Sequence, residues 1–212
     1  MKVLITAGST REPIDAVRHV SNISTGKLGI EIAKESLKRG HVTLLLYGFG
    51  ALKPPSYINT KKFATTKDLY DLVINEIKNF DVFISVAAVS DYTPIFIDEK
   101  IDSDKNELII KLKPTPKVLK EAKKIANKNT LFVAFKLGYM LDENELIKKA
   151  IESYGEIADI IIVNDLLNIN DRKHLATILY KNKILYKAKT KKEIAKLLFN
   201  TIETKTIFLK IL

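Results

Sequence analysis

Ser24-Thr25-Gly26-Lys27 is a hydroxyl-rich segment placed directly before the amphipathic run Leu28–Arg39. The first backbone N–H groups of a helix lack intrahelical acceptors and carry the positive end of the helix dipole, so such a segment suits an anion. Ser24 or Thr25 equally suits simple capping of the helix. Lys27 favours a ligand, because a cation in the first turn opposes the dipole unless an anion sits beside it. Upstream, Gly8-Ser9-Thr10 breaks an apolar amino-terminal run with small residues, yet the GxGxxG of dinucleotide sites is absent. Phosphates would be held by this turn and the helix start instead.

Other candidates lie where apolar runs end: Tyr47-Gly48, Ala87–Tyr92, Phe135-Lys136 and Asn164-Asp165. Ligands of open parallel sheets bind beyond the carboxyl ends of the strands, so these groups converge on one crevice. Ala87-Ala88-Val89-Ser90 is small enough for close approach, and Asp91 after it is either a turn former or a ligand group. His19 is a candidate base in a stretch without periodicity, whereas His41 and His174 open strands and read as structural. No His, Asp or Glu cluster has transition-metal spacing, so any metal is expected to arrive as Mg²⁺ with a nucleotide.

These groups need a frame to position them. Strand-like runs are Lys2–Thr6, His41–Tyr47, Tyr57–Phe63, Val82–Ala88, Leu131–Lys136 and Ile160–Asn164. Helix-like runs are Lys27–Arg39, Lys67–Asn79, Lys117–Asn127, Glu143–Tyr154 and Lys191–Glu203, with Gly40 as a stop and Thr66 and Thr190 as caps. The alternation predicts an α/β, Rossmann-like three-layer domain with a mostly parallel central sheet. Leu175–Lys181 and Lys183–Tyr186 predict a C-terminal antiparallel hairpin about Asn182. Ser90–Pro116 has no helical periodicity, one strand-like piece (Glu107–Lys113) and Pro94, Pro114 and Pro116, so it reads as a functional or exchanged arm. No linker divides residues 1–212, which read as a single domain.

Composition excludes several function classes. The absence of cysteine removes disulfides, thiolate metal sites and a cysteine nucleophile. No apolar run approaches the roughly 18 residues of a membrane helix, and MKVLIT is not a signal peptide, so a cytoplasmic location is expected. The net charge of +10 comes from scattered lysines without aromatics for base stacking. That pattern suits small anions rather than nucleic acid.

TAGSTREPID, VRHVSNISTGKLG, AAVSDYTP, the Lys100 segment, LKPTPKVL, FVAFKL and DIIIVNDL follow one another over nearly the whole chain. Together they resemble the phosphopantothenoylcysteine synthetase (phosphopantothenate–cysteine ligase) family of coenzyme A biosynthesis. The resemblance implies that 4′-phosphopantothenate attacks the α-phosphorus of a nucleoside triphosphate, giving an acyl-nucleotide and pyrophosphate. The amine of L-cysteine then releases the nucleoside monophosphate. It implies CTP as the nucleotide in bacterial and archaeal members and ATP in eukaryotic ones, with Mg²⁺.

Carried over by position, Asn22 matches the asparagine that holds the acyl-nucleotide, Arg18 an arginine of the second half-reaction, and Lys100 a lysine that assists nucleotide transfer. Gly8, Ser9, Thr10, Ser24, Thr25, Gly26 and Lys27 fall to the phosphates. Ala88 and Asp91 fall near the base, Phe135 and Lys136 at a strand end that packs on the nucleotide, and Asn164 and Asp165 at a further strand end. The chain departs from the family pattern at Ser9, Asp102, Ala134 and Val163. The resemblance further implies a homodimer joined through the arm at about 90–116. It also implies a stand-alone form without flavin, and a separate decarboxylase as a possible partner. A non-catalytic nucleotide or dinucleotide sensor is the alternative, and it would not need Asn22, Arg18 and Lys100 together.

Overall fold

Short runs rich in Val and Ile alternate with amphipathic segments, and each becomes a strand or helix that buries an apolar face. The computed structural model describes residues 1–205 in full apart from Ser103, Lys105 and Asp171, and the backbone of residues 206–211. In chain order the elements are β1 (Lys2–Ala7), β2 (Arg11–Pro13), β3 (His19–Ser21), α1 (Lys27–Lys38), β4 (Val42–Gly48), β5 (Asn59–Phe63) and α2 (Thr66–Glu76). There follow β6 (Val82–Ser85), β7 (Tyr92–Pro94), β8 (Leu112–Pro114), α3 (Val118–Ile125), β9 (Leu131–Gly138) and α4 (Glu143–Tyr154). The chain ends with β10 (Ile160–Asp165), β11 (Ala176–Tyr180), β12 (Lys183–Ala188) and α5 (Lys191–Ile211).

One eight-stranded sheet has the order β12-β11-β10-β9-β6-β1-β4-β5. Strands from β10 to β5 in that order are parallel, and β11 and β12 add the expected antiparallel hairpin. Lys181 and Asn182, at φ 46° and 63°, supply the left-handed turn that a tight hairpin requires. The order reverses at β1, which has β4 on one side and β6 on the other.

Alternation along β1 divides the core. Val3 and Ile5 pack with Ile32 and Ala33 of α1 and Leu198 and Phe199 of α5. Leu4 packs on the opposite face with Leu69 and Val73 of α2, Ala122 of α3 and Leu146 of α4. This is the three-layer Rossmann-like arrangement expected from the sequence. Burial on both faces explains why the central strands read as unbroken apolar runs. No described helix is long and apolar enough to cross a membrane.

Three local expectations change. Thr65, not Thr66, caps α2: its Oγ1 accepts the Asp68 amide at 3.1 Å, and the Asp68 carboxylate accepts the Thr65 amide at 2.9 Å. The Thr66 hydroxyl instead donates to the buried Glu12 carboxylate at 2.7 Å, tying the β1 loop to α2. The strand expected over Val82–Ala88 ends at Ser85, because Thr6 Oγ1 accepts the amides of Val86 and Ala87 at 3.1 Å. The helix-free arm is a ribbon in which β7 pairs antiparallel with β8, and Glu107–Lys113 contributes only its end to the strand. Ser103 and Lys105 of the arm lie outside the described residues.

Candidate functional site

Gly8 turns the chain at the end of β1 with φ 81°, and a Cβ there would stand 2.8 Å from the Ala51 Cβ. Its carbonyl accepts the Ala88 amide at 2.8 Å, so the turn is joined to the chain leaving β6. Ser9 makes a parallel bridge with Ala88. The Thr10 side chain is fully buried: its Oγ1 accepts from the Ser90 amide at 3.0 Å and lies 3.2 Å from Thr66 Oγ1. Thr10 therefore fixes the loops and does not present its hydroxyl to a ligand. The result is a notch over β1 and β6, where the strand order reverses and where ligands of such sheets bind.

Asn22 reaches this notch from a distant loop. Its Nδ2 donates to the Val89 carbonyl at 3.2 Å and lies 3.5 Å from that of Ala88, while the residue stays exposed. Ser21 Oγ donates to the Thr10 carbonyl at 2.7 Å, which anchors the same loop. The helix start follows immediately. Gly26, at φ 71°, is the cap residue of α1 and supplies no side chain, and the first turn carries no acidic group. Neither Ser24 nor Thr25 is the cap; Thr25 Oγ1 lies 3.5 Å from the Lys27 amide. An uncapped helix start beside a positive-φ glycine leaves amide donors for an anion.

Cationic side chains surround that helix start. A cleft of about 590 Å³ opens beside it, lined by Lys27, Lys34, Lys53, Arg172, Lys173 and Lys192 among others. His174 is part of its lining. The imidazole is buried, neither ring nitrogen has a partner among the described residues, and burial with the nearby Lys191 charge lowers its pKa to about 4. The unfolded chain takes up this proton near the ordinary value of 6.5, whereas the folded protein resists it until about 4. Stability is therefore lost as pH falls between those values. A melting series from pH 7 to pH 4.5 should show a decline that His174→Phe reduces by roughly 5 °C.

On the α3/α4 side, Asp91 is ion-paired with Lys117, both side chains being largely exposed. Lys136 Nζ donates to Ser153 Oγ at 3.2 Å and stands 5.8 Å from the centre of the Tyr154 ring. Burial, reinforced by the Asp91 charge, raises the Tyr154 phenol above its ordinary value. Lys117, Ser153 and Tyr154 were not singled out in the sequence. Nothing in their local pattern separates them from helix surface residues.

The remaining candidates divide. Phe135 is half-buried at the end of β9, and Ala88 is half-buried at the notch. Asn164 and Asp165 are buried, and the Asp165 carboxylate accepts the amides of Leu167 at 2.9 Å and Leu141 at 3.3 Å. Asp165 is thus engaged in shaping its own loop. Arg18 donates to the Asp15 carboxylate and to the Ile101 carbonyl, which places it beside Lys100 on the arm. Among the described residues no group of three or more His, Asp or Glu side chains is positioned to hold a metal ion.

The chain is similar to known proteins over most of its length. The chain is 42% identical over 166 residues to the coenzyme A biosynthesis bifunctional protein CoaBC of Methanocaldococcus jannaschii, covering 78% of this chain and 40% of the relative. It is 33% identical over 211 residues to the protein of the same name from Thermococcus kodakarensis, covering 95% of this chain and 51% of the relative. The chain thus spans about half or less of the length of these curated relatives. The crystal structure of the DNA/pantothenate metabolism flavoprotein from Streptococcus pneumoniae superposes with a TM-score of 0.90 at 33% identity, covering 97% of this chain and 99% of that one. The model of the DNA/pantothenate metabolism flavoprotein C-terminal domain matches residues 1–206, and the chain belongs to that family.

Proposed function

We propose that residues 1–212 form a phosphopantothenate–cysteine ligase domain of coenzyme A biosynthesis. The observation that carries this reading is Asn22, held at the Ala88–Val89 carbonyls where the strand order reverses, just before the uncapped start of α1. Phosphates of a nucleoside triphosphate would lie against the amides of α1 and the cationic wall beside it. The carboxylate oxygen of 4′-phosphopantothenate attacks the α-phosphorus, the bond to the bridging oxygen breaks, and pyrophosphate leaves. The cysteine amine then attacks the acyl carbon, loses a proton, and the nucleoside monophosphate departs. Preorganised donors matter most in this chemistry, because charge develops on phosphoryl and acyl oxygens.

Asn22 would donate its second N–H to the anhydride, while Arg18 and Lys100 would offset charge in the two half-reactions. Asp91, Lys117 and Lys136 would border the base. The nucleotide in this reading is CTP, as the family resemblance implies for bacterial and archaeal members, with Mg²⁺ entering on its phosphates as part of the substrate. The ligation is redox-neutral, so no step assigned to this chain uses a flavin.

Dimerisation through the arm belongs to the same proposal, in a cytoplasmic protein whose product, 4′-phosphopantothenoyl-L-cysteine, would pass to a separate decarboxylase. Tyr92, Ile95, Phe96 and Leu112 lie on the ribbon and are each about half exposed, a run of apolar surface suited to a second copy of this chain. Phe96→Glu should convert the dimer to a monomer in light scattering with size-exclusion chromatography. Unchanged mass would place the interface elsewhere. The activity itself is tested by product formation from 4′-phosphopantothenate and L-cysteine with CTP or ATP. Amide product with CTP supports the reading in full, product with ATP alone corrects the nucleotide, and nucleotide binding without product favours the sensor.

A further inference from the structure

The Asp15 side chain has no exposed surface and lies at the junction between the Arg18 loop and the arm. Its carboxylate accepts the amides of Val17 at 2.9 Å, Arg18 at 2.6 Å and Ile101 at 3.1 Å, and it also accepts from Arg18 Nη1. The same Nη1 donates to the Ile101 carbonyl at 3.0 Å. Both polar groups of the Ile101 peptide are therefore held by one acid–base pair from a loop far away in sequence. A second tie runs alongside, from the Ile97 amide to the Ile14 carbonyl at 3.0 Å. Ile101 is itself buried, so the arm folds back against its own chain here and Lys100 stands at the edge of the tie.

A buried carboxylate needs charge and hydrogen-bond partners to be tolerated. Burial alone would raise the Asp15 pKa, but three amides and the guanidinium hold it well below the usual carboxylate range. The carboxylate therefore keeps its charge throughout the neutral and mildly acidic range, and the tie does not depend on pH there. Its partners are also unusual: one is Arg18, and the other adjoins Lys100.

We propose that Asp15 is a positioning residue that locks Arg18 and the Lys100–Ile101 peptide into one unit. This rests on the ligase reading, in which those two cations serve successive half-reactions. Without the lock each cation would sample many positions, and misplacement of a catalytic group by an ångström is costly.

The test uses the chain of residues 1–212, which lacks cysteine and so accepts a single spin label at Glu99→Cys on the exposed arm. Asp15→Asn should shorten the label's correlation time about threefold, with the main melting transition kept. It should lower kcat about 10- to 100-fold while KM for CTP moves less than about threefold. In a Lys100→Gln background the combined loss should fall well short of the product of the two single losses, because part of the Asp15 effect acts through Lys100. If Asp15→Asn fails to fold, Ile101→Pro, which deletes the amide donated to Asp15 and leaves the Arg18 pair, must give the same mobility and rate changes. An unmoved label, or losses that multiply in the double variant, would overturn the proposal. A mobile label in a protein without ligase activity would instead retain the lock and refute the ligase reading.

Discussion

Asn22→Asp is expected to lower product formation by about 10²- to 10³-fold. Its melting temperature should stay within a few degrees of the parent protein, because the side chain is exposed. The carboxamide now donates to the Val89 carbonyl at 3.2 Å and faces that of Ala88 at 3.5 Å. An aspartate would turn acceptors towards acceptors and add a negative charge beside the proposed phosphate site. The loop would detach from the notch, and the donor to the anhydride would be lost in the same step. Product quantification under saturating substrates, with melting in parallel, checks both halves. Turnover near that of the parent protein would remove Asn22 from the chemistry.

Gly48→Ala is expected to damage both stability and site. A Cβ there would lie 2.2 Å from the Ser9 carbonyl oxygen and 2.9 Å from the Ser9 amide, which are backbone atoms with little freedom to yield. Overpacking of this kind costs about 1–3 kcal/mol, or roughly 3–10 °C of melting temperature in a chain of this size. Relief must come from moving the Gly8–Thr10 turn, so nucleotide affinity should fall too. Gly40→Ala is the control. Its φ of 79° imposes strain, but nothing lies within 4 Å of the added methyl group. It should cost only about 1–2 kcal/mol and leave nucleotide binding unchanged. Equal affinity for nucleotide in the Gly48→Ala and Gly40→Ala proteins would disconnect that turn from the site.

The sheet was legible because its central strands are buried on both faces, which writes Val3-Leu4-Ile5 and Ile160–Val163 as continuous apolar runs. The hairpin at Asn182 was legible from turn chemistry. The short ribbons were not, since strands of three residues such as Arg11–Pro13 and Tyr92–Pro94 carry no readable period. Thr66 was mistaken for a cap because Thr65-Thr66 offers two hydroxyls, and only the reciprocal bonds with Asp68 separate them. At the site, the helix start and the strand ends were visible locally. Asp15 was not, because its importance arises from the Ile101 peptide, 86 residues away. Thr10 and Asp165 illustrate the converse: polar residues at strand ends whose groups are consumed by the scaffold.

The central claim is that a carboxylate is activated as an acyl-nucleotide at this notch, and isotope transfer tests it most directly. 4′-Phosphopantothenate labelled with ¹⁸O in its carboxylate would be incubated with CTP and L-cysteine, and the released nucleotide analysed by mass spectrometry. One ¹⁸O should appear in the nucleoside monophosphate for each amide bond formed, and pyrophosphate should remain unlabelled. Label in inorganic phosphate, or unlabelled monophosphate alongside product, would contradict attack at the α-phosphorus and with it the roles assigned to Asn22 and the α1 start.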